Sequence, residues 1–146
     1  MIKGFTLIEL IAVVFILAVL FSISVPRLAP TVIWKVRAYS AAQEIATKLL
    51  YTRSMAITSS RRCSIKFIPP PGPFTGYEIW KDEEGGWVKV EEGNLPENVE
   101  VTGSSELIFE PLGNPTSGGE ITVSGGDHIY IITLDPIVGR VEVSGG

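Results

Sequence analysis

From Phe5 to Val25 nearly every residue is apolar, and the run carries one carboxylate, Glu9, near its start. A stretch of this length and hydropathy reads as a helix that crosses a bilayer. A charge at the centre of such a helix costs roughly 2.5–3.5 kcal/mol on insertion scales, so an acid there points to function. A removable secretory signal would need a small-residue cleavage site after the apolar core. Phe21-Ser22-Ile23-Ser24-Val25-Pro26 offers none, although Lys3 supplies a basic start. Arg27, Lys35 and Arg37 beyond the run, against Lys3 before it, lean on charge alone towards a cytoplasmic C-terminus.

The remainder is long enough for one globular domain, and a net charge of −4 without basic blocks does not call for a polyanionic partner. Cys63 is the single cysteine, so an intramolecular disulfide is excluded; it reads as a small buried apolar residue at a strand start. His128 is the single histidine, leaving a histidine-based triad or zinc cluster little to build on. The acids Asp82-Glu83-Glu84 and Glu91-Glu92 flank glycine turns and read as solvated loop charges, not as a calcium site. No catalytic, cofactor-binding or metal-ligating residues are assigned, and an enzyme is not expected.

Pro26 and Pro30 interrupt the apolar helix, each removing a backbone donor and favouring a kink. From Val32 to about Thr58 the period becomes helical. Val32, Val36, Tyr39, Ala42, Ile45, Ala46, Leu49, Leu50 and Met55 make the expected core face, with Lys35, Arg37, Gln43, Glu44, Lys48 and Arg53 opposite. Beyond Arg61 the period drops to two, predicting strands at Cys63–Ile68, Tyr77–Lys81, Trp87–Val90, Val99–Val101, Leu107–Phe109, Glu120–Val123, Ile129–Leu134 and Val138–Val143. Short turns such as Gly125-Gly126-Asp127 demand antiparallel pairing. Trp80, Trp87 and Tyr77 suit sheet packing, with an exposed Trp beside Gly85-Gly86 as a possible subunit contact. The expected fold class is α+β: a long N-terminal helix, half membrane and half amphipathic, on antiparallel sheet.

Gly4-Phe5-Thr6-Leu7-Ile8-Glu9 resembles the processing site of type IV pilins and type II secretion pseudopilins. The resemblance implies cleavage between Gly4 and Phe5 by a prepilin peptidase and N-methylation of Phe5. It further implies that the Phe5 amine pairs with Glu9, in the same chain or an adjoining one, to set subunit register. Leu107-Ile108-Phe109-Glu110-Pro111-Leu112-Gly113, followed by Val138-Gly139-Arg140-Val141, is similar to the GspH/FimT branch, whose turn signature falls on Phe109, Pro111 and Gly113. Pro111 blocks strand extension there, and Gly113 permits a positive-φ turn.

That resemblance implies four segments: a leader at 1–4, a transmembrane and filament-core helix at 5–30, an amphipathic helix at 31–60 and a β-rich domain at 61–146. The implied protein is a minor pseudopilin in a pseudopilus that drives protein secretion, with a FimT-type minor pilin as the alternative. It would be single-pass in the inner membrane with a periplasmic C-terminal domain. Implied partners are the prepilin peptidase, other pilin or pseudopilin subunits, an inner-membrane assembly platform, and membrane lipid before assembly. Nucleic acid is not expected. FimT-type DNA receptors carry a basic Gly-Arg-any-Arg tail, whereas Gly139-Arg140-Val141-Glu142 places an acid at the second arginine; Arg61-Arg62 reads as a solvated helix end.

Overall fold

The computed structural model describes residues 6–24 and 30–146, which fall into two units divided between Ile33 and Trp34. In the first unit, α1 (Leu7–Ser24) is apolar in sequence except for Glu9 in its first turn and Ser22 and Ser24 at its end. In the second, most of α2 (Pro30–Ser59) packs with eight strands. Gly4, Phe5 and Pro26 lie outside the described residues. Pro30 is the first residue of α2, where its missing N–H removes no intrahelical bond.

The expectation of a membrane half, and with it single-pass inner-membrane localisation, is overturned. Among the described residues no helix is long and apolar enough to cross a membrane. Helix α1 has 18 residues. At 1.5 Å per residue that is about 27 Å, against a hydrocarbon thickness of about 30 Å.

The end of α2 is a left-handed cap: Ser60 has φ of 51°, its N–H donates to the Ile57 carbonyl, and the Arg61 N–H reaches back to Ala56. Hydroxyls inside the helix turn back onto its own carbonyls. Thr52, fully buried, donates to Lys48 O at 2.8 Å and so leaves no orphaned polar atom.

The buried face of α2 is Ala38, Ala41, Ala42, Ile45, Ala46, Leu49, Thr52 and Ala56. Ala42, Ile45, Ala46 and Leu49 lie on it as expected, and the rest of the expected core face is corrected. Val32, Val36, Tyr39 and Leu50 are about half exposed, and Ala38, Ala41 and Ala56 take the contact instead. Alanine weighs little in a hydropathy pattern, yet its small side chain lets a sheet approach the helix backbone closely.

The strands form two antiparallel sheets. The first runs β3 (Gly86–Asn94), β2 (Gly76–Glu83), β1 (Cys63–Ile68), β5 (Glu106–Phe109); the second runs β4 (Glu100–Gly103), β6 (Gly119–Gly125), β7 (His128–Leu134), β8 (Val141–Gly145). Alternate residues point inward: Cys63, Ile65 and Phe67 from β1, and Tyr130, Ile132 and Leu134 from β7, join the α2 alanines in one core. The chain passes from the second sheet to the first at Gly103-Ser104-Ser105. Ser104 N–H donates to Glu120 O at 2.9 Å, and Phe67 N–H to Ser105 O at 2.7 Å, so the corner is bonded to both sheets. Gly103 turns this corner with φ of 124°. Strand β8 begins three residues later than the sequence reading places it, because Asp135–Arg140 closes as a turn.

Candidate assembly site

Two regions carry the residues singled out in the sequence. The first is α1. Leu7, Ile8, Phe15 and the other described apolar side chains on it are largely exposed, an apolar surface that soluble monomers rarely present. Glu9 sits in the first turn. Its backbone N–H bonds to the Thr6 carbonyl at 3.1 Å and approaches Thr6 Oγ1 at 3.4 Å. Thr6-x-x-Glu9 is therefore a capping-box spacing, which sequence reasoning passed over, and it places the carboxylate at the positive end of the helix dipole.

The second region gathers around the turn after β5. Phe109 is fully buried, paired with Cys63 across the strands and bridged to Pro115 beyond the turn. Glu110 N–H donates to Asn114 O, and Gly113 N–H to Glu110 O, each at 2.8 Å, closing the loop that contains half-buried Pro111. Gly113 has φ of 83°, and a Cβ there would meet Ile57 Cδ1 at 2.6 Å. Gly139 (φ of 65°) packs behind it: a Cβ would lie 2.6 Å from Gly113 O. Between the two loops lies Arg53 of α2, whose Nε donates to Gly113 O at 2.8 Å and whose Nη2 donates to Val138 O at 3.0 Å. Leu112, Ile137 and Val138 project from these loops as exposed apolar side chains. Sequence periodicity assigned Arg53 to a solvated helix side, and nothing local signals partners 60 and 85 residues away.

Asp135 shapes the second loop. Its Oδ1 accepts the Ile137 N–H at 2.8 Å and the Val138 N–H at 2.9 Å, holding its carboxyl below the ordinary value. A depressed folded-state value means that this contribution to stability is present above the unfolded carboxylate value. It is lost as pH falls through the lower, folded one. We expect Asp135→Asn to flatten the pH dependence of unfolding below about pH 4, read as the urea midpoint against pH.

The remaining candidates have ordinary surroundings. Cys63 is buried, and burial pushes its thiol up, the direction of an inert packing residue. The acids of the β2–β3 hairpin pair with bases: Arg62 with Asp82, Lys81 with Glu83 and Arg61 with Glu84. Glu91 pairs with Lys48, whose ammonium it holds above the usual value, and Glu92 pairs with Lys89. Arg62 also lies over the Trp87 ring and Lys66 over Trp80, while Tyr77 is buried. Among the described residues no group of three or more His, Cys, Asp or Glu could hold a metal ion. His128 is half-buried at the first position of β7.

Residues 41–139 match the family described as type II transport protein GspH, and residues 1–25 match the prokaryotic N-terminal methylation motif. No curated protein matches the chain in sequence. Among solved structures, the type IV minor pilin FimU of Pseudomonas aeruginosa is similar with a TM-score of 0.65 at 17% identity, over 75% of this chain and 90% of FimU. EpsH, a minor pseudopilin from the type 2 secretion system of Vibrio cholerae, is similar with a TM-score of 0.63 at 14% identity, over 75% of this chain and 97% of EpsH. At such identities the likeness is one of fold.

Proposed function

Because the chain belongs to the type II transport protein GspH family, a family of structural pilin-like subunits and not of enzymes, we propose that it is a minor pseudopilin. In this reading a prepilin peptidase cuts between Gly4 and Phe5, Phe5 is methylated, and the processed subunit joins a type II secretion pseudopilus through an assembly platform. The observation that carries the reading is the joint presence of the methylation motif and an α1 exposed on all sides. Such a surface is stabilised by packing among other apolar helices. Glu9, at the start of α1, pairs with the Phe5 amine of its own or a neighbouring subunit. In a water-poor helix bundle that pairing favours one axial register, since an unpaired charge there is strongly destabilising.

A type IV minor pilin is the second reading, favoured by the fold likeness to FimU. A DNA receptor is disfavoured within it, since Glu142 follows Arg140 closely enough to pair with it at 3.1 Å. The test of processing is intact mass and N-terminal sequencing after co-expression with an active prepilin peptidase. The expected product lacks Met1–Gly4 and carries one methyl group on Phe5. An uncut chain beside a control pseudopilin that is cut would sink the proposal.

A further inference from the structure

The edges of the two sheets are not equally guarded. Strand β4 has its Val101 carbonyl taken by the Phe74 N–H at 2.7 Å, and β5 has its Ile108 carbonyl taken by the Thr116 N–H at 2.9 Å. Strand β8 has five residues, and its Val141 and Val143 pack against the core. Strand β3 differs from all three. It is nine residues long, and Trp87, Val88 and Val90 are 37%, 47% and 46% exposed. Among the described residues it pairs with β2 alone, and no backbone hydrogen bond is made on its outer side.

The register shows which backbone groups face outward. Asp82 N–H donates to Arg62 O at 2.8 Å, on the β1 side of β2. The N–H and C=O of one strand residue point the same way, and successive residues alternate. Asp82 and Trp80 therefore turn their backbone groups from β3. Their partners Trp87 and Lys89 turn theirs from β2, to the open edge, where each offers one donor and one acceptor. Beyond Lys89 the register shifts: Ile79 pairs with Glu91, leaving Val90 as a bulge that ends the regular ladder. Such edges are commonly guarded by a bulge or a lysine. Here the bulge lies past Trp87 and Val88, and the charge of Lys89 is compensated by Glu78 and Glu92 on its own sheet.

Charge selects what can add to this edge. From Asp82 to Asn94 there are five acids and one base, and Glu84 and Glu92 are the most exposed of the acids. Two copies of β3 paired antiparallel about Val88 would set Glu84 of each against Glu92 of the other, and like charges directly opposite are destabilising. A strand with a lysine or arginine at each end meets the same positions favourably.

We propose that β3 is a docking edge for an extended segment of a different protein, which adds beside Gly86–Lys89 as a fifth strand of the first sheet. The chemistry that fits is a short run of β-branched residues with a basic residue at each end. Its backbone bonds to Trp87 and Lys89, its side chains cover Trp87 and Val88, and its terminal cations lie by Glu84 and Glu92. The contact rests on the sheet alone and not on how the chain is processed.

Backbone amide exchange of the full chain, held in detergent micelles that cover α1, tests the edge. The probe is a synthetic peptide of alternating valine and threonine with lysine at both ends. With millimolar peptide the Trp87 amide is expected to exchange at least about threefold more slowly. The Val88 amide, bonded inward to β2, changes little and reports that β3 is still paired. A peptide with glutamate ends should bind about threefold more weakly, the scale of an exposed ion pair. Lys89→Pro removes one outward donor, leaves the β2–β3 ladder intact as edge strands allow, and is expected to abolish the slowing. Lys89→Ala keeps the donor and retains it. No slowing at Trp87, slowing that Lys89→Pro retains, or equal binding of the two peptides would overturn the proposal. So would protection of Trp87 that appears on concentrating the protein without peptide, since the occupant would then be a second copy.

Discussion

Phe109→Ala is expected to destabilise the second unit by about 3–5 kcal/mol, the range for truncating a fully buried aromatic. Phe109 is 0% exposed and ends β5, where the first sheet meets the turn. Its loss removes apolar burial and leaves a cavity whose walls are fixed on one side by the Cys63 pairing and on the other by the Pro115 bridge. A domain of this size is stable by only about 5–15 kcal/mol, so the change consumes at least about a fifth of the total. Equilibrium urea unfolding would read it as a fall in midpoint at nearly constant slope. Leu112→Ala, three residues on, supplies the contrast. Leu112 is 88% exposed, and its truncation is expected to change stability by less than about 0.5 kcal/mol. Equal losses from the two substitutions would mean that the turn is held by something other than the buried aromatic.

The α+β class is legible because the hydrophobic period changes from helical to alternating near Arg61, and β1 and β7 fall where alternation places them to within a residue. Alternation says which residues point inward but not towards which layer. The division into two sheets therefore depends on the corner at Gly103, which the sequence marks only by one glycine followed by two serines. The helix face is misread for a related reason. Val36, Tyr39 and Leu50 dominate a hydropathy pattern, while close packing also selects Ala38, Ala41 and Ala56. A bilayer span is read from apolar composition over residues 5–30, and the regular helix described there is shorter than that stretch. At the candidate site, the Phe109–Gly113 pattern is local and visible. Its partners Gly139 and Arg53 are brought to it only by the fold, so no spacing rule finds them.

Arg53 makes the longest-range polar connection at this site, and its removal is the second large effect. One guanidinium donates to Gly113 O and to Val138 O, carbonyls of two loops that also meet through the close packing of Gly139 on Gly113 O and Pro115. Hydrogen bonds from a charged donor contribute about 1.5–3 kcal/mol each. Because Arg53 is only half-buried, water compensates part of that in the variant. Arg53→Ala is therefore expected to cost about 2–3 kcal/mol in total, lowering the melting temperature by roughly 10 °C. Arg53→Lys should recover little of it. A lysine keeps the charge but has one nitrogen, which cannot occupy both positions of the planar fork. The loss should also be local: amide exchange at Gly113 and Gly139 should rise before exchange in the β1–β2 pairing, since the loops open without the sheets. If Arg53→Lys is as stable as the parent, charge alone holds the loops. If exchange rises uniformly through the domain, Arg53 is a general stabiliser and the exposed Leu112, Ile137 and Val138 are not positioned by it.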